Sequence, residues 1–252
     1  MSASDVNALE LVDVGRRFGA LAAVSNVDLT VAQGERRALL GANGAGKSTL
    51  FNLIAGDFPA TDGSISLLGR DLSGVPARER TRMGLRRTYQ NSSLFAQLTV
   101  ADNLFIALRG VRPGRFSLRR PHRRGDEMQR VVALAERVGM GGWLDHRVAD
   151  LSHGQQRQLE LGMALVGEPQ VLLLDEPAAG LSPAERTHLL ALIVGLPPSL
   201  TVVLIEHDLD IALRAADRVT VMHNGRLLVE GTPGEIRANQ QVRDIYLGSQ
   251  GN

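Results

Sequence analysis

The chain lacks cysteine, and this absence excludes disulfide bonds, cysteine-ligated zinc and thiol catalysis. Aromatic residues are scarce as well, at 4% of the composition. No apolar run approaches the roughly 18 residues that a membrane-spanning helix needs. These absences are consistent with a cytosolic protein. The 252 residues, 44% of them hydrophobic, suffice for one large domain with a sizeable core.

Lysine is nearly absent, because Lys47 is the single lysine among 28 basic residues. It lies in residues 41–48, Gly-Ala-Asn-Gly-Ala-Gly-Lys-Ser, which match the phosphate-binding pattern G-x-x-x-x-G-K-S. A compact ammonium fits inside a tight phosphate loop, whereas a planar guanidinium fits poorly. The alternative interpretation is a glycine-rich turn with a solvated lysine. The bias toward arginine elsewhere favours the phosphate loop.

The flanking residues provide the context that this loop requires. Residues 36–40 are typical of a short strand, and residues 47–55 have helical spacing, with Leu50, Leu53 and Ile54 on one face. Glycines let backbone N–H groups wrap phosphates at the N-terminus of the following helix. Lys47 would reach the β- and γ-phosphates, and Ser48 would ligate Mg²⁺.

Acidic residues follow a continuous apolar run at residues 171–174, which predicts a buried parallel strand. Asp175 is placed to bind Mg²⁺ directly or through water, and Glu176 to orient or deprotonate an attacking water. The alternative is an acidic pair that caps the turn at Pro177. Gln90 and His207 are ambiguous alone, since a histidine at a strand end is commonly a surface or core residue. Both, however, follow strands predicted to end on the phosphate face.

The other segments predict alternating strands and helices. Residues 9–14 and 27–31 alternate as strands do, Thr99 caps a helix with Asp102 at its third position, and Asn224-Gly225 is a hairpin turn. Further elements are predicted for helices at residues 76–83, 125–138, 152–166, 183–194 and 233–247, and for strands at residues 64–68, 85–89, 201–205, 219–222 and 226–229.

Residues 109–124 hold seven arginines and no acid, so the remainder has 21 basic against 27 acidic residues, a net charge of −6. Three interpretations stay open for this basic segment: a solvated insertion, contact with anionic headgroups or an acidic partner, and nucleic-acid binding. Phe116 is its one aromatic residue, so stacking on bases is not expected.

The motifs together resemble those of ABC transporter ATPase subunits. Residues 41–48, Gln90, residues 151–156 (Leu-Ser-His-Gly-Gln-Gln), residues 171–177 and His207 have the order and spacing of that family, and the resemblance covers about residues 9–247. A finer similarity is to the ATP-binding subunits of branched-chain amino acid importers. It is carried by Thr88-Tyr-Gln-Asn, the long insertion before Ser152, residues 175–181 and the tail at residues 246–248.

The resemblance implies an α/β fold of the P-loop NTPase type, with a mostly parallel core sheet, an antiparallel β-subdomain and a helical subdomain. One ABC ATPase domain would span residues 1–252. Its helical subdomain would occupy residues 91–165 and include the basic insertion at 109–124. Residues 232–252 would form a short C-terminal helical extension.

The resemblance also implies roles for individual residues. ATP would be bound by Phe18, Asn43, Gly44, Ala45, Gly46, Lys47, Ser48 and Thr49, and in a partner subunit by Ser152, Gly154 and Gln155. Metal contacts would come from Ser48, Gln90 and Asp175. Glu176 would be the catalytic base, His207 would contact the γ-phosphate, and Gln90 would relay the nucleotide state. Phe18 would stack on adenine, although a phenylalanine beside a strand is usually a core residue.

Two residues depart from the family pattern. His153 stands where most members have glycine, so its side chain must find room, and Ser182 stands where many have aspartate. The expected function is Mg²⁺-dependent ATP hydrolysis that drives import of branched-chain or related amino acids.

The expected partners are integral-membrane permeases, a second ATP-binding subunit (identical or paralogous) and, indirectly, a substrate-binding protein. The protein would lie on the cytoplasmic face of the membrane, and no nucleic acid is expected. The alternatives are a transporter ATPase for urea or amides, lipids or export, and a soluble ABC-type ATPase acting on nucleic acid or ribosomes.

Overall fold

The computed structural model describes residues 6–88, 94–110 and 125–247. Gln90, residues 111–124 of the basic segment and residues 248–252 lie outside this part of the chain. The chain divides into two compact units. The sheet unit combines residues up to Arg87 with Gln170–Pro177 and the residues from Leu196 onward. The helical unit combines Thr88–Pro169 with Ala178–Gly195.

The strands all belong to the sheet unit. In chain order they are β1 (Leu9–Phe18), β2 (Leu21–Val31), β3 (Arg36–Leu40), β4 (Asp62–Leu67), β5 (Arg70–Asp71), β6 (Leu85–Arg87), β7 (Val171–Asp175), β8 (Thr201–Ile205), β9 (Arg218–His223) and β10 (Arg226–Gly231). β1 and β2 are longer than predicted, because they continue as an antiparallel hairpin to the turn at Gly19, whose φ is 59°.

The helices are α1 (Lys47–Ala55), α2 (Ala77–Arg82), α3 (Val100–Gly110), α4 (Asp126–Arg137), α5 (His153–Ala164), α6 (Pro183–Val194), α7 (Leu209–Ala215), α8 (Pro233–Ala238) and α9 (Gln240–Leu247). Short 3-10 turns cover Gly141–Trp143 and Val148–Asp150. α3 to α6 belong to the helical unit and the others to the sheet unit. None of the helices within the described ranges is long and apolar enough to cross a membrane.

Two sheets form the sheet unit in the described part of the chain. One is antiparallel, in the order β2-β1-β4-β5, and the other has the order β10-β9-β3-β8-β7-β6. In the second sheet the strands from β9 to β6 run parallel, and β10 pairs antiparallel with β9. Every residue of β7 and β8 is buried, as their apolar composition predicts. The predicted fold class is therefore confirmed.

One hydrophobic core joins α1 to both sheets. Leu50, Leu53 and Ile54, the predicted apolar face of α1, are buried in a cluster that also includes residues of β1, β2, β4, β7 and β8. Burial of each such side chain contributes about 1.5–3 kcal/mol. The buried Arg80 guanidinium donates to the carbonyl oxygens of Leu53 (2.7 Å) and Ile54 (2.9 Å) near the C-terminus of α1. The core and Arg80 together fix the helix that begins at the phosphate loop.

Helix caps in the helical unit agree with the sequence. The Thr99 hydroxyl accepts from the N–H of Asp102 at 3.1 Å and donates to its carboxylate at 2.9 Å, which starts α3. α4 and α5 begin within a residue of their predicted starts. In the sheet unit, α7 was not predicted; Asp208 caps it by accepting from the N–H of Ile211.

Candidate functional site

The phosphate loop connects β3 to α1 at the carboxyl edge of the parallel sheet. Gly44 and Gly46 have φ angles of 80° and 100°, in the left-handed region that favours glycine. A Cβ at Gly46 would lie 2.6 Å from the carbonyl oxygen of Ala23. No side chain caps the N-terminus of α1. The loop backbone and the first turn of α1 therefore present N–H groups in the manner of an anion-binding site.

Lys47 is held inside this loop rather than extended into solvent. Its ammonium donates hydrogen bonds to the carbonyl oxygens of Gly41 at 2.6 Å and Ala42 at 3.1 Å. The residue is 6% exposed. Burial lowers the pKa of Lys47, and the nearby Glu176 and Asp175 carboxylates oppose that shift. The interpretation as a solvated lysine in a glycine-rich turn does not describe this residue.

A pocket of about 450 Å³ opens over the loop. Glu176 lines this pocket, and so do seven residues that were predicted to bind ATP: Asn43, Gly44, Ala45, Gly46, Lys47, Ser48 and Thr49. It is also lined by Leu21, Ala22 and Ala23 of β2 and by Asn224 and Gly225 of the turn before β10. The sequence analysis did not assign these last five residues to the site.

The turn at Asn224-Gly225 reaches the loop through backbone hydrogen bonds. The N–H of Gly225 donates to the carbonyl oxygen of Ala45 at 3.0 Å, and its own carbonyl accepts from Ser25 at 2.8 Å. A Cβ at Gly225 would lie 2.8 Å from the carbonyl oxygen of Ala23. The Asn-Gly signal predicted the turn, but its position against the phosphate loop follows from the pairing of β9 with β3.

Three acidic and basic groups gather where β7 and β8 end. Asp175 is the last residue of β7, and its side chain is 3% exposed. Glu176 follows with a φ of 45°, an uncommon backbone conformation for a residue with a side chain. His207 follows β8, and its Nδ1 lies 3.8 Å from the Glu176 carboxylate. Of the predicted strand-end residues, these three come together, while Gln90 is outside the described residues.

Arg87, at the end of β6, was not predicted as a site residue. Its Nη2 donates to Oδ2 of Asp175 at 2.7 Å, and its Nη1 donates to Oδ1 of Asn52 at 2.6 Å and to Oδ2 of Asp57 at 3.0 Å. Asn52 belongs to α1, so the guanidinium connects the phosphate-loop helix to the acidic end of β7. The amino-acid sequence around Arg87 gives no local signal for its contact with Asp175, because the two residues are distant in the chain.

Phe18 lies at the end of β1, and its ring is packed against other side chains. The ring meets that of Phe58 edge-on, with centroids 5.4 Å apart, and the Arg16 guanidinium lies 4.7 Å from its centroid. Phe18 is nevertheless 44% exposed. It is not among the residues that line the pocket, whereas Leu21 of β2 is. Its predicted stacking on adenine stays a prediction.

The residues predicted to contact a partner's ATP lie in the helical unit, at the N-terminus of α5. The Ser152 hydroxyl accepts from the N–H of Gln155 at 3.2 Å, and the Gln155 side chain accepts from the N–H of Ser152 at 2.9 Å, which forms a capping box. The side chain of His153 finds room beside Gly180, where a Cβ would lie 3.1 Å from the imidazole. The departure at His153 is thus accommodated without disturbing the cap.

Ser182, the other departure, caps α6. Its hydroxyl and its N–H donate to Oε2 of Glu185 at 2.7 Å and 3.1 Å. These bonds, with further ones from Ser152 and Gly154, lower the pKa of Glu185 from 4.5 to about 2. A serine at this position therefore builds a capping box with the third residue of its helix.

The fold and this site define a P-loop nucleotide-binding protein. Comparison with known families specifies the class further. Residues 24–179 match the family model for the ABC transporter, and residues 226–251 match that for the branched-chain amino acid ATP-binding cassette transporter. The chain belongs to the ATP-binding subunits of ABC transporters.

Individual relatives agree along almost the whole chain. The high-affinity branched-chain amino acid transport ATP-binding protein LivG of Salmonella typhimurium is 40% identical over 240 residues, 92% of this chain and 94% of LivG. BraF of Pseudomonas aeruginosa, also a high-affinity branched-chain amino acid transport ATP-binding protein, is 37% identical over 250 residues, 95% of this chain and 97% of BraF.

Solved structures extend the agreement to the fold. The ADP conformation of MJ1267, an ATP-binding cassette of an ABC transporter, superposes with a TM-score of 0.85 at 28% identity and covers 96% of this chain and 99% of its own. CbiO1 from Clostridium perfringens, part of the cbiONQ transporter complex, gives a TM-score of 0.82 at 26% identity, with 98% of both chains covered. The protein is an ATPase subunit that binds ATP and energises a transporter, as the sequence predicted.

Proposed function

We propose that this chain hydrolyses ATP to drive the import of branched-chain or closely related amino acids. Support comes from the similarity to LivG and BraF, which are branched-chain amino acid transport ATP-binding proteins, and from the match of residues 226–251 to the corresponding family model. Its partners would be two membrane permeases, a second ATP-binding subunit and, through the permeases, a substrate-binding protein. It would lie at the inner face of the membrane.

The nucleotide would bind over the phosphate loop. The glycine conformations, the uncapped N-terminus of α1 and the enclosed Lys47 ammonium all suit a polyphosphate. Ser48 and Asp175 offer the oxygen ligands that Mg²⁺ prefers, with Gln90 as a further ligand. Bound Mg²⁺ would neutralise charge on the phosphates. Phe18 would contact adenine, and Thr49 would assist in holding the phosphates.

Hydrolysis would depend on Glu176. The observation that carries this assignment is its position: a carboxylate at the end of a buried strand, lining the phosphate pocket, beside the buried Asp175 and 3.8 Å from His207. Glu176 would accept the proton of the attacking water, and His207 would hydrogen-bond to the γ-phosphate. Its φ of 45° is an energetically unfavourable backbone conformation, and such conformations persist only where the surrounding structure stabilises them.

The second half of each site would come from another subunit. Ser152, Gly154 and Gln155 lie at the N-terminus of α5, where the helix dipole favours anions. They would contact the γ-phosphate of ATP held by the partner subunit. Closure of the two half-sites on ATP would exclude bulk solvent while retaining the attacking water, and so link hydrolysis to association.

The central test is Glu176→Gln. We expect hydrolysis to fall by at least about a hundredfold, the usual contribution of a general base, while ATP binding persists and an ATP-bound dimer accumulates on size exclusion. Glu168→Gln is the matched control, because Glu168 is also a glutamate with positive φ (53°) but lies in the helical unit. If Glu176→Gln hydrolyses ATP at the wild-type rate, Glu176 is not the catalytic base.

The substrate is tested separately by uptake. Co-expression with candidate permease subunits and a candidate substrate-binding protein from the same organism should give uptake of labelled leucine, isoleucine or valine that depends on an intact Lys47. Uptake of a different substrate class by the same assembly would overturn the amino-acid assignment and leave the ATPase assignment in place.

A further inference from the structure

Glu185 makes more contacts than its position in α6 requires. As the third residue of the helix it completes the capping box, accepting at Oε2 from the hydroxyl and the N–H of Ser182. Its other oxygen, Oε1, accepts from the Ser152 hydroxyl at 3.0 Å and from the N–H of Gly154 at 3.1 Å. The carboxylate therefore bridges the N-termini of α6 and α5 within the helical unit.

A second helix of the protein shows what a capping box alone involves. In α8, Glu235 occupies the equivalent third position and accepts from the N–H and hydroxyl of Thr232 at 2.7 Å and 2.9 Å. Both bonds go to its own N-cap residue, as the Ser182 bonds of Glu185 do. The two bonds from Ser152 and Gly154 are thus additional to the capping function of Glu185.

The groups that donate to Oε1 of Glu185, on Ser152 and Gly154, belong to residues proposed above to contact the γ-phosphate of ATP in the partner subunit. A serine hydroxyl and a backbone N–H each carry one hydrogen to donate. Both hydrogens are directed at Oε1 of Glu185. The fit is close, because a Cβ at Gly154 would lie 2.6 Å from Oε1. A phosphate oxygen can take these hydrogens only if the carboxylate gives them up.

We propose that the Glu185 carboxylate is an intramolecular competitor that holds the phosphate-binding donors of Ser152 and Gly154 until ATP displaces it. This inference rests on the proposed function, since the ATP would be bound by a second subunit. Displacement exchanges one anion for another at the positive end of α5, so the contact sets the ATP concentration at which two subunits close. The competing group is ionised at physiological pH, as a glutamate ordinarily is, and the hydrogen bonds that it accepts lower its pKa further, to about 2.

The test measures ATP-driven dimerisation in the Glu176→Gln background, where hydrolysis does not dissipate the dimer. The ATP concentration for half-maximal dimer formation is determined by analytical ultracentrifugation. Adding Glu185→Gln should lower it about tenfold, because hydrogen bonds to an ionised acceptor are about twice as strong as neutral ones. Adding Glu235→Gln instead should leave it unchanged, since this variant loses a capping carboxylate far from the α5 donors in sequence and in a different unit.

A second variant at this position controls for the possibility that Glu185→Gln disturbs the fold. Glu185→Asp keeps the charge and a capping side chain. Because aspartate is one methylene shorter, its carboxylate cannot accept hydrogen bonds from Ser182 and from Gly154 at the same time. It should shift dimerisation in the same direction as Glu185→Gln, with an unchanged circular dichroism spectrum. If the ATP concentration for half-maximal dimer formation is equal or higher in both Glu185 variants, this inference is wrong, while the proposed function is unaffected. If the Glu176→Gln parent never dimerises with ATP, the shared site itself fails, and this inference fails with it.

Discussion

Replacing Arg87 with methionine removes the guanidinium that connects α1 to β7 while keeping an unbranched side chain. The lost contacts include the hydrogen bonds to Asp175 at 2.7 Å, to Asn52 at 2.6 Å and to Asp57 at 3.0 Å. The guanidinium also lies over the Phe51 ring, 5.7 Å from its centroid. The Arg87 and Asp175 side chains are 9% and 3% exposed, so their ion pair is buried. The Asp57 side chain is 35% exposed.

Most of the expected loss of unfolding free energy comes from the ion pair with Asp175. Removing one partner of a buried ion pair costs about 3–5 kcal/mol, because the remaining charge stays desolvated. The half-exposed pair with Asp57 adds at most about 1 kcal/mol, and the hydrogen bond to Asn52 adds about as much. These values are not additive for one shared guanidinium. We therefore expect the free energy of unfolding to fall by about 3–5 kcal/mol.

The assay is equilibrium urea unfolding followed by far-UV circular dichroism. Trp143, the single tryptophan, belongs to the helical unit, so its fluorescence is recorded separately from the signal of the sheets. Arg87→Lys should fall between wild type and Arg87→Met, since one ammonium cannot span Asn52 and Asp175. The exposed Arg70→Met is the control and should change stability by less than about 0.5 kcal/mol. A loss below about 1 kcal/mol in Arg87→Met, the range of an exposed ion pair, would refute the reasoning.

Lys47→Arg should lose MgATP binding almost as completely as Lys47→Ala, because the ammonium is enclosed 2.6 Å from the Gly41 carbonyl and a guanidinium is larger; near-native affinity in a nucleotide titration would contradict this. For Glu185, the pKa is lower in the folded than in the unfolded state, so the stability difference between wild type and Glu185→Gln should be complete above pH 4.5 and shrink as the pH falls toward 2. A difference that stays constant over that range in pH-dependent thermal melts would show that the charge of Glu185 is not involved.

The sequence predicted the elements whose signals are local. The loop at residues 41–48, the buried strand that ends at Asp175, the Thr99 cap and the Asn224-Gly225 turn each depend on neighbours within a few residues. α7 was missed because it is one short helix of seven residues after a strand end, with little room for an apolar period. The ends of β1 and β2 were missed because register shifts interrupt the pairing of the two strands, so buried and exposed residues no longer alternate regularly there.

The sequence by itself determined the family, the phosphate loop and the order of the strand-end residues, because spacing along the chain records which groups share a loop or a helix turn. The tertiary structure decided which distant groups meet. Arg87 reaches Asp175 across 88 residues, and Gly154 reaches Glu185 across 31. β2 and the Asn224-Gly225 turn line the pocket although neither carries a phosphate motif. These contacts depend on sheet order and helix packing, which bring together residues that no local pattern connects.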